Sequence, residues 1–141
     1  MSGRVFVDTN VLIYAHDMEA GQKQEKAARI LGDLWETKTG VLSTQVLQEF
    51  YVNVTRKIPS PLKRSTARDI VRQYSVWPVI GPDADMIVRA SELEESHQLS
   101  FWDAMIVAAA RQAGATKILT EDLNHGETID GVMIENPFAE G

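Results

Sequence analysis

The chain has no cysteine among its 141 residues. That excludes disulfide staples and thiolate metal ligands, leaving oxygen and imidazole donors for any cation. Histidine is scarce as well: His16, His97 and His125 show no ligand spacing, which argues against a zinc centre. No apolar run approaches the roughly 18 residues that mark a membrane span. The opening Met1 to Arg4 lacks a basic-then-apolar signal peptide, so a cytoplasmic protein without a membrane anchor is expected. Positive charge is also short. Lys and Arg number 14 against 20 Asp and Glu, for a net charge of −6 and a pI near 5.0. Phosphate backbones are held chiefly by Lys and Arg, so a generally basic, nucleic-acid-coating protein is excluded.

What is present suits one globular domain over residues 1–141. Charged residues at 24% and hydrophobic ones at 44% sit near the average for such domains, and the length allows a real core. The scarce bases are unevenly placed. Arg56 to Arg72 holds Arg56, Lys57, Lys63, Arg64, Arg68 and Arg72 with the single acid Asp69, leaving +5 in that stretch and −11 elsewhere. A basic stripe on an acidic body suits the guidance of a polyanion, with Arg64, Arg68 and Arg72 at helical spacing. A solvated helix face would show the same pattern.

The pattern alternates strands and helices. Arg4 to Val7 is short, apolar and β-prone, and ends at Asp8-Thr9-Asn10, where a helix begins. Lys23 to Glu36 carries apolar residues at threes and fours, with Gly40 just beyond, and Val41-Leu42 reads as a second strand. Ser43 or Thr44 caps a helix with Leu47, Phe50, Tyr51 and Val54 on its apolar side and Glu49 within it. After the Ile58-Pro59-Ser60-Pro61 break, a basic helix runs to about Tyr74, and Val76 to Ile80 reads as a strand that Pro78 confines to an edge. Gly81-Pro82-Asp83 opens a helix to about His97. Ser100 to Asp103 resembles a capping box, with Asp at the third position, before the Ala-rich run closed by Gly114. Lys117 to Thr120, the polar loop Glu121 to Gly126, and the strand Val132 to Ile134 complete the chain. This order predicts an α/β fold, a three-layer α/β/α sandwich around a central, mainly parallel sheet.

In such sheets ligands gather outside the carboxyl ends of the strands. Asp8 directly follows the first strand and Asp122 follows the strand ending near Thr120. Asp103 and Glu49 lie in the early turns of helices able to face the same edge. Crowded carboxylates repel, and a hard divalent cation relieves that repulsion. Mg²⁺, or Mn²⁺, takes a few carboxylates while keeping waters and substrate phosphate oxygens, which is the chemistry of phosphodiester hydrolysis. Each acid also has a plain structural use. Asp8 would cap a turn, Asp103 would serve the helix dipole, Glu49 would be an exposed helix acid and Asp122 a turn residue. Trp102, beside Asp103, reads first as core and secondarily as a platform for an unpaired base. Phe50 and Tyr51 read as core or dimer contacts. His125 reads first as a solvated loop residue.

Val7-Asp8-Thr9-Asn10-Val11-Leu12, Ser43 to Phe50, Asp103-Ala104-Met105-Ile106-Val107-Ala108-Ala109-Ala110 and Leu119-Thr120-Glu121-Asp122 together resemble the PIN-domain family. Within it, the chain looks most like the toxin ribonucleases of VapBC toxin–antitoxin pairs. The resemblance implies a Mg²⁺-dependent endoribonuclease with Asp8, Glu49, Asp103 and Asp122 at the metal. It implies Thr9, Asn10 and Thr120 as supporting hydrogen-bonders, a homodimer, an RNA substrate and a small antitoxin covering the acidic cleft. Many relatives carry a further acid where this chain has Asn124, whose amide would position a water. Glu121, on a strand-like segment, is expected to point away from Asp122. A phosphatase of the haloacid dehalogenase type needs a second Asp where Asn10 stands, and a flap-type nuclease usually brings more acids than this chain holds. A catalytically silent PIN-like binding module for RNA or protein is the alternative.

Overall fold

In the computed structural model, which describes residues 3–139, the apolar run near the N-terminus lies inside a six-stranded sheet of order β3-β2-β1-β4-β6-β5. The strands are β1 (Arg4–Val7), β2 (Gly40–Ser43), β3 (Val79–Ile80), β4 (Ala115–Leu119), β5 (Thr128–Ile129) and β6 (Val132–Glu135). Every pairing is parallel except that of β5 with β6. Strands covered on both faces read as continuous apolar runs. Accordingly Val5, Phe6, Val7, Val41, Leu42, Ile118 and Leu119 are all buried. Pro78 has the predicted effect, since β3 is an edge strand, but it also shortens β3 to two residues.

Parallel neighbours require crossovers, here supplied by α1 (Thr9–His16) and α2 (Gln22–Thr37), α3 (Thr44–Arg56) and α4 (Arg64–Tyr74), and α5 (Ala84–His97) and α6 (Phe101–Gln112). The path turns back across β1 after β3, so right-handed crossovers put α5 and α6 on the face opposite α1 to α4. The result is the α/β/α sandwich that the alternation predicts. Besides α1, three helices begin on side-chain caps. Ser43 Oγ accepts from Val46 N at 3.3 Å, Asp83 Oδ1 from Met86 N at 2.8 Å and Ser100 Oγ from Asp103 N at 3.1 Å. Each such cap contributes about 1 kcal/mol. Ala104 to Ala110 of α6 is buried throughout, and its small residues let the helix lie close to the sheet.

α2 ends within a residue of the expected Glu36, and Lys38 takes the left-handed C-cap conformation at φ 60°. Gly40 is needed inside β2, because a Cβ there would stand 2.4 Å from Cζ3 of the Trp77 ring. Gly40→Ala is therefore expected to cost about 1–3 kcal/mol by overpacking, read as a lower urea midpoint with an unchanged slope. The β5–β6 hairpin was not expected. Its turn residues Asp130 and Gly131 have φ of 52° and 80°, the positive values that a two-residue hairpin turn demands and that an Asp-Gly pair meets.

Candidate active site

The register of the parallel pairs aligns the strand ends. Val7 lies opposite Leu119 and Ser43 opposite Ile80, so the residues that follow these strands emerge along one edge. Asp8 caps α1 there, buried, with Oδ1 accepting from Thr9 N at 2.7 Å. Its Oδ2 accepts from Thr120 Oγ1 at 2.8 Å. Thr120 is wholly buried and is the hub of the edge: its Oγ1 also accepts from Asn10 Nδ2 at 3.2 Å and from Asp122 N at 3.0 Å. Asn10 closes the ring by donating from Nδ2 to Asp122 Oδ2 at 3.1 Å and accepting from Glu121 N at 3.3 Å.

The electrostatics show that the other acids are near. Burial pushes the Asp8 carboxyl up to about 7. Hydrogen bonds from Thr120 and Thr9 oppose that rise, and the carboxylates of Asp122 and Glu49 add to it. Asp103 is likewise raised, first by burial and further by Asp122, against the hydrogen bond with Ser100. Asp8, Glu49, Asp103 and Asp122 thus share one electrostatic neighbourhood. Glu49 is exposed on α3, and its Oε1 accepts from Gln45 Nε2 at 2.9 Å. Asp103, Asp122 and Asn124 line a cavity of about 250 Å³ together with Glu127. As expected, Glu121 points away: its carboxylate binds Tyr14 OH and pairs with Lys23 at 3.0 Å.

The structure leaves other candidates elsewhere. Arg68 and Arg72 line a groove between α3 and α4 that none of the four acids lines, and Arg64 is exposed at the start of α4. His125 is held by the backbone, its Nδ1 accepting from Asn136 N at 2.9 Å. Trp102 is not core: it is 64% exposed, because Asp103 and Trp102 occupy the first turn of α6, before the buried run begins. Phe50 is fully buried and Tyr51 partly so.

The sequence model of the PIN domain matches residues 5–129. The chain belongs to the PIN domain family. Solved PIN-fold structures agree in shape. VapC20 of Mycobacterium tuberculosis, a sarcin–ricin loop cleaving toxin, is 25% identical with a TM-score of 0.65, over 84% of this chain and 91% of that one. A toxin–antitoxin complex from Klebsiella pneumoniae contains a chain 20% identical with a TM-score of 0.68, over 95% and 98%. DNA-bound VapBC from Salmonella typhimurium contains one 18% identical with a TM-score of 0.64, over 96% and 99%. Comparison with curated proteins gives no match.

Does this PIN domain's edge suit a cation? Among the described residues, no three His, Asp or Glu side chains are gathered tightly enough to cage an ion by themselves. The donors are nonetheless all oxygen, and Thr9 Oγ1 is buried without a hydrogen-bond partner. A buried carboxylate near 7 with two acidic neighbours is the electrostatic signature of a site that takes up either a proton or a cation. The set fits a hard ion that keeps several waters, and does not fit a closed protein cage.

Two residues of this edge were not singled out in the sequence. Gln45 stands four residues before Glu49 on α3, and that spacing is itself the signal for a helix-surface pair. Glu127 accepts from Asn124 Nδ2 at 3.1 Å and reaches the acids only because the β5–β6 hairpin folds back. Thr120→Val, which removes the hub hydroxyl with little change of shape, is expected to weaken divalent-ion binding by about 10–100-fold. Isothermal titration with Mn²⁺ checks this.

Proposed function

We propose that the chain is a metal-dependent endoribonuclease and the toxin of a type II toxin–antitoxin pair. The observation that carries this reading is the strand-end edge itself, where buried Asp8 is held by Thr9 N and Thr120 Oγ1 and Asn10 ties Asp122 to the same hydroxyl. Asp8, Glu49, Asp103 and Asp122 would hold Mg²⁺, with Mn²⁺ as a substitute. The ion supplies a Lewis acid that makes water more acidic and takes up charge developing on the phosphate.

The chain's own residues do the rest. Thr9 N and Thr120 Oγ1 hold the two Asp8 oxygens in place, and Asn10 ties Asp122 to the same hub. Asn124, tied to Glu127 and lining the same cavity as Asp122 and Asp103, would position a water there. Arg64, Arg68 and Arg72 draw the RNA backbone to the acidic body. The likeness to toxin–antitoxin complexes supports an antitoxin partner, and a homodimer belongs to the same proposal. A cytoplasmic site of action belongs to the same proposal; no described helix is long and apolar enough to cross a membrane.

The test is purified protein on tRNA, rRNA and mRNA with Mg²⁺, Mn²⁺ or EDTA. Cleavage is expected with either ion and none with EDTA. Equal cleavage in EDTA would remove the metal mechanism. Inactivity on every RNA in both ions would leave the family's fold serving as a binding module.

A further inference from the structure

We propose that the cavity beside Trp102 is a nucleobase pocket, in which the indole stacks an unpaired base of the strand whose phosphate lies at the acids. The strand's identity rests on the nuclease reading above, while the pocket is built from other residues. Trp102 leaves 64% of its surface in solvent, although few side chains lose more from exposure. Phe101 meets it edge to face, with ring centroids 5.2 Å apart and planes at 76°, which orients the indole while most of it stays open.

The cavity holds about 250 Å³ and is lined by apolar side chains that include Met86, Met105 and Ile80, with the amides of Gln45 and Gln48 on its α3 side. That is the composition needed to seat a flat ring and touch its polar edge: apolar contact and a π face accept any base, and an amide offers both a donor and an acceptor. Sequence-reading proteins take unpaired bases in this way.

Its place ties it to the acids. Ser43 and Ile80, which end β2 and β3, line the cavity, so it opens at the strand-end edge that carries Asp8. Gln45 Nε2 donates both to Glu49 Oε1 at 2.9 Å and to the Trp102 carbonyl at 3.3 Å, making one wall common to the cavity and the acidic edge. Trp102 itself is adjacent to Asp103. None of the four acids lines the cavity, so Gln45 and the Trp102–Asp103 step of α6 are what join a base seated here to a strand at the acids. The exposed Ile87 at the cavity would also suit contact with a second copy of the chain, and the test separates the two occupants.

Binding of short fluorescent single-stranded RNAs is measured by anisotropy in EDTA, with and without one abasic position scanned along the strand. Trp102→Ala is expected to bind about 5- to 150-fold more weakly and Trp102→Phe to retain most of the affinity. One abasic position should weaken the wild type to the same degree and cost Trp102→Ala nothing further. Equal affinity of wild type and Trp102→Ala for intact RNA would overturn the pocket. So would a fall in molar mass by light scattering on Trp102→Ala, which would assign the indole to a contact between copies. Trp102-dependent binding without cleavage in Mg²⁺ would support the pocket and sink the nuclease reading. Normal cleavage with Trp102→Ala indistinguishable from wild type would do the reverse.

Discussion

Replacing Asp8 by Asn is expected to lower Mg²⁺-dependent RNA cleavage by about a thousandfold. A divalent ion contributes several kcal/mol of transition-state stabilisation, and each 1.4 kcal/mol is a decade in rate. The substitution removes the one fully buried charge of the edge. It also scrambles the hub: Oδ1 and Oδ2 of Asp8 both accept, whereas an amide has one acceptor and one donor. With its nitrogen toward Thr120, the amide meets an oxygen that already accepts from Asn10 and Asp122. With its nitrogen toward Thr9, two donors face each other. Initial rates at saturating Mg²⁺, with circular dichroism to verify folding, measure the effect. A loss under tenfold in a folded variant would place the chemistry elsewhere.

In chelator, stability is expected to fall as pH rises from about 4 to 7, and Asp8 is the reason. Its carboxyl protonates at about 7 in the folded chain and near 3.8 when unfolded. Between those values the native state holds a proton that the unfolded state lacks, so raising the pH favours unfolding. The whole window is worth on the order of 4 kcal/mol, at 1.36 kcal/mol per pH unit.

His16 works in the opposite direction. Burial against Phe50 and Tyr74 lowers its affinity for a proton, so its contribution is present above 6.5 and lost as pH falls. Comparing wild type with Asp8→Asn in urea titrations at pH 5, 6, 7 and 8 isolates Asp8: the variant should lose most of the decline toward high pH, keeping only the part that the raised Asp103 carboxyl contributes. Saturating Mg²⁺ should restore the wild type at pH 8 and leave the variant unchanged, because the ion replaces the proton. Parallel profiles for the two proteins would show that Asp8 does not carry it.

Much of the frame was legible because burial leaves a periodic trace. Val5 to Val7 and Ile118-Leu119 read as inner strands since a strand covered on both faces has no polar side to show. Ser43, Asp83 and Ser100 read as caps since short oxygen-bearing side chains serve the first helical N–H groups without help from distant residues. The need for Gly40 was not legible because its reason is tertiary: the Trp77 ring demands the absence of a side chain. Trp102 misled because composition records how much area a residue is able to bury but not whether a neighbour covers it. The β5–β6 hairpin was missed because two-residue strands carry no periodicity, although Asp130-Gly131 marks their turn.

By itself the sequence determined the family, the order of strands and helices apart from β5, and the candidate acids, since these follow from local pattern and motif. Only the tertiary structure decided the rest. Parallel register set Asp8 against Thr120 across 112 positions of chain and raised the Asp8 carboxyl by burying it near Asp122 and Glu49, and the packing left Trp102 in the open. Burial and field strength depend on which distant groups share a volume, and no stretch of sequence contains that information on its own.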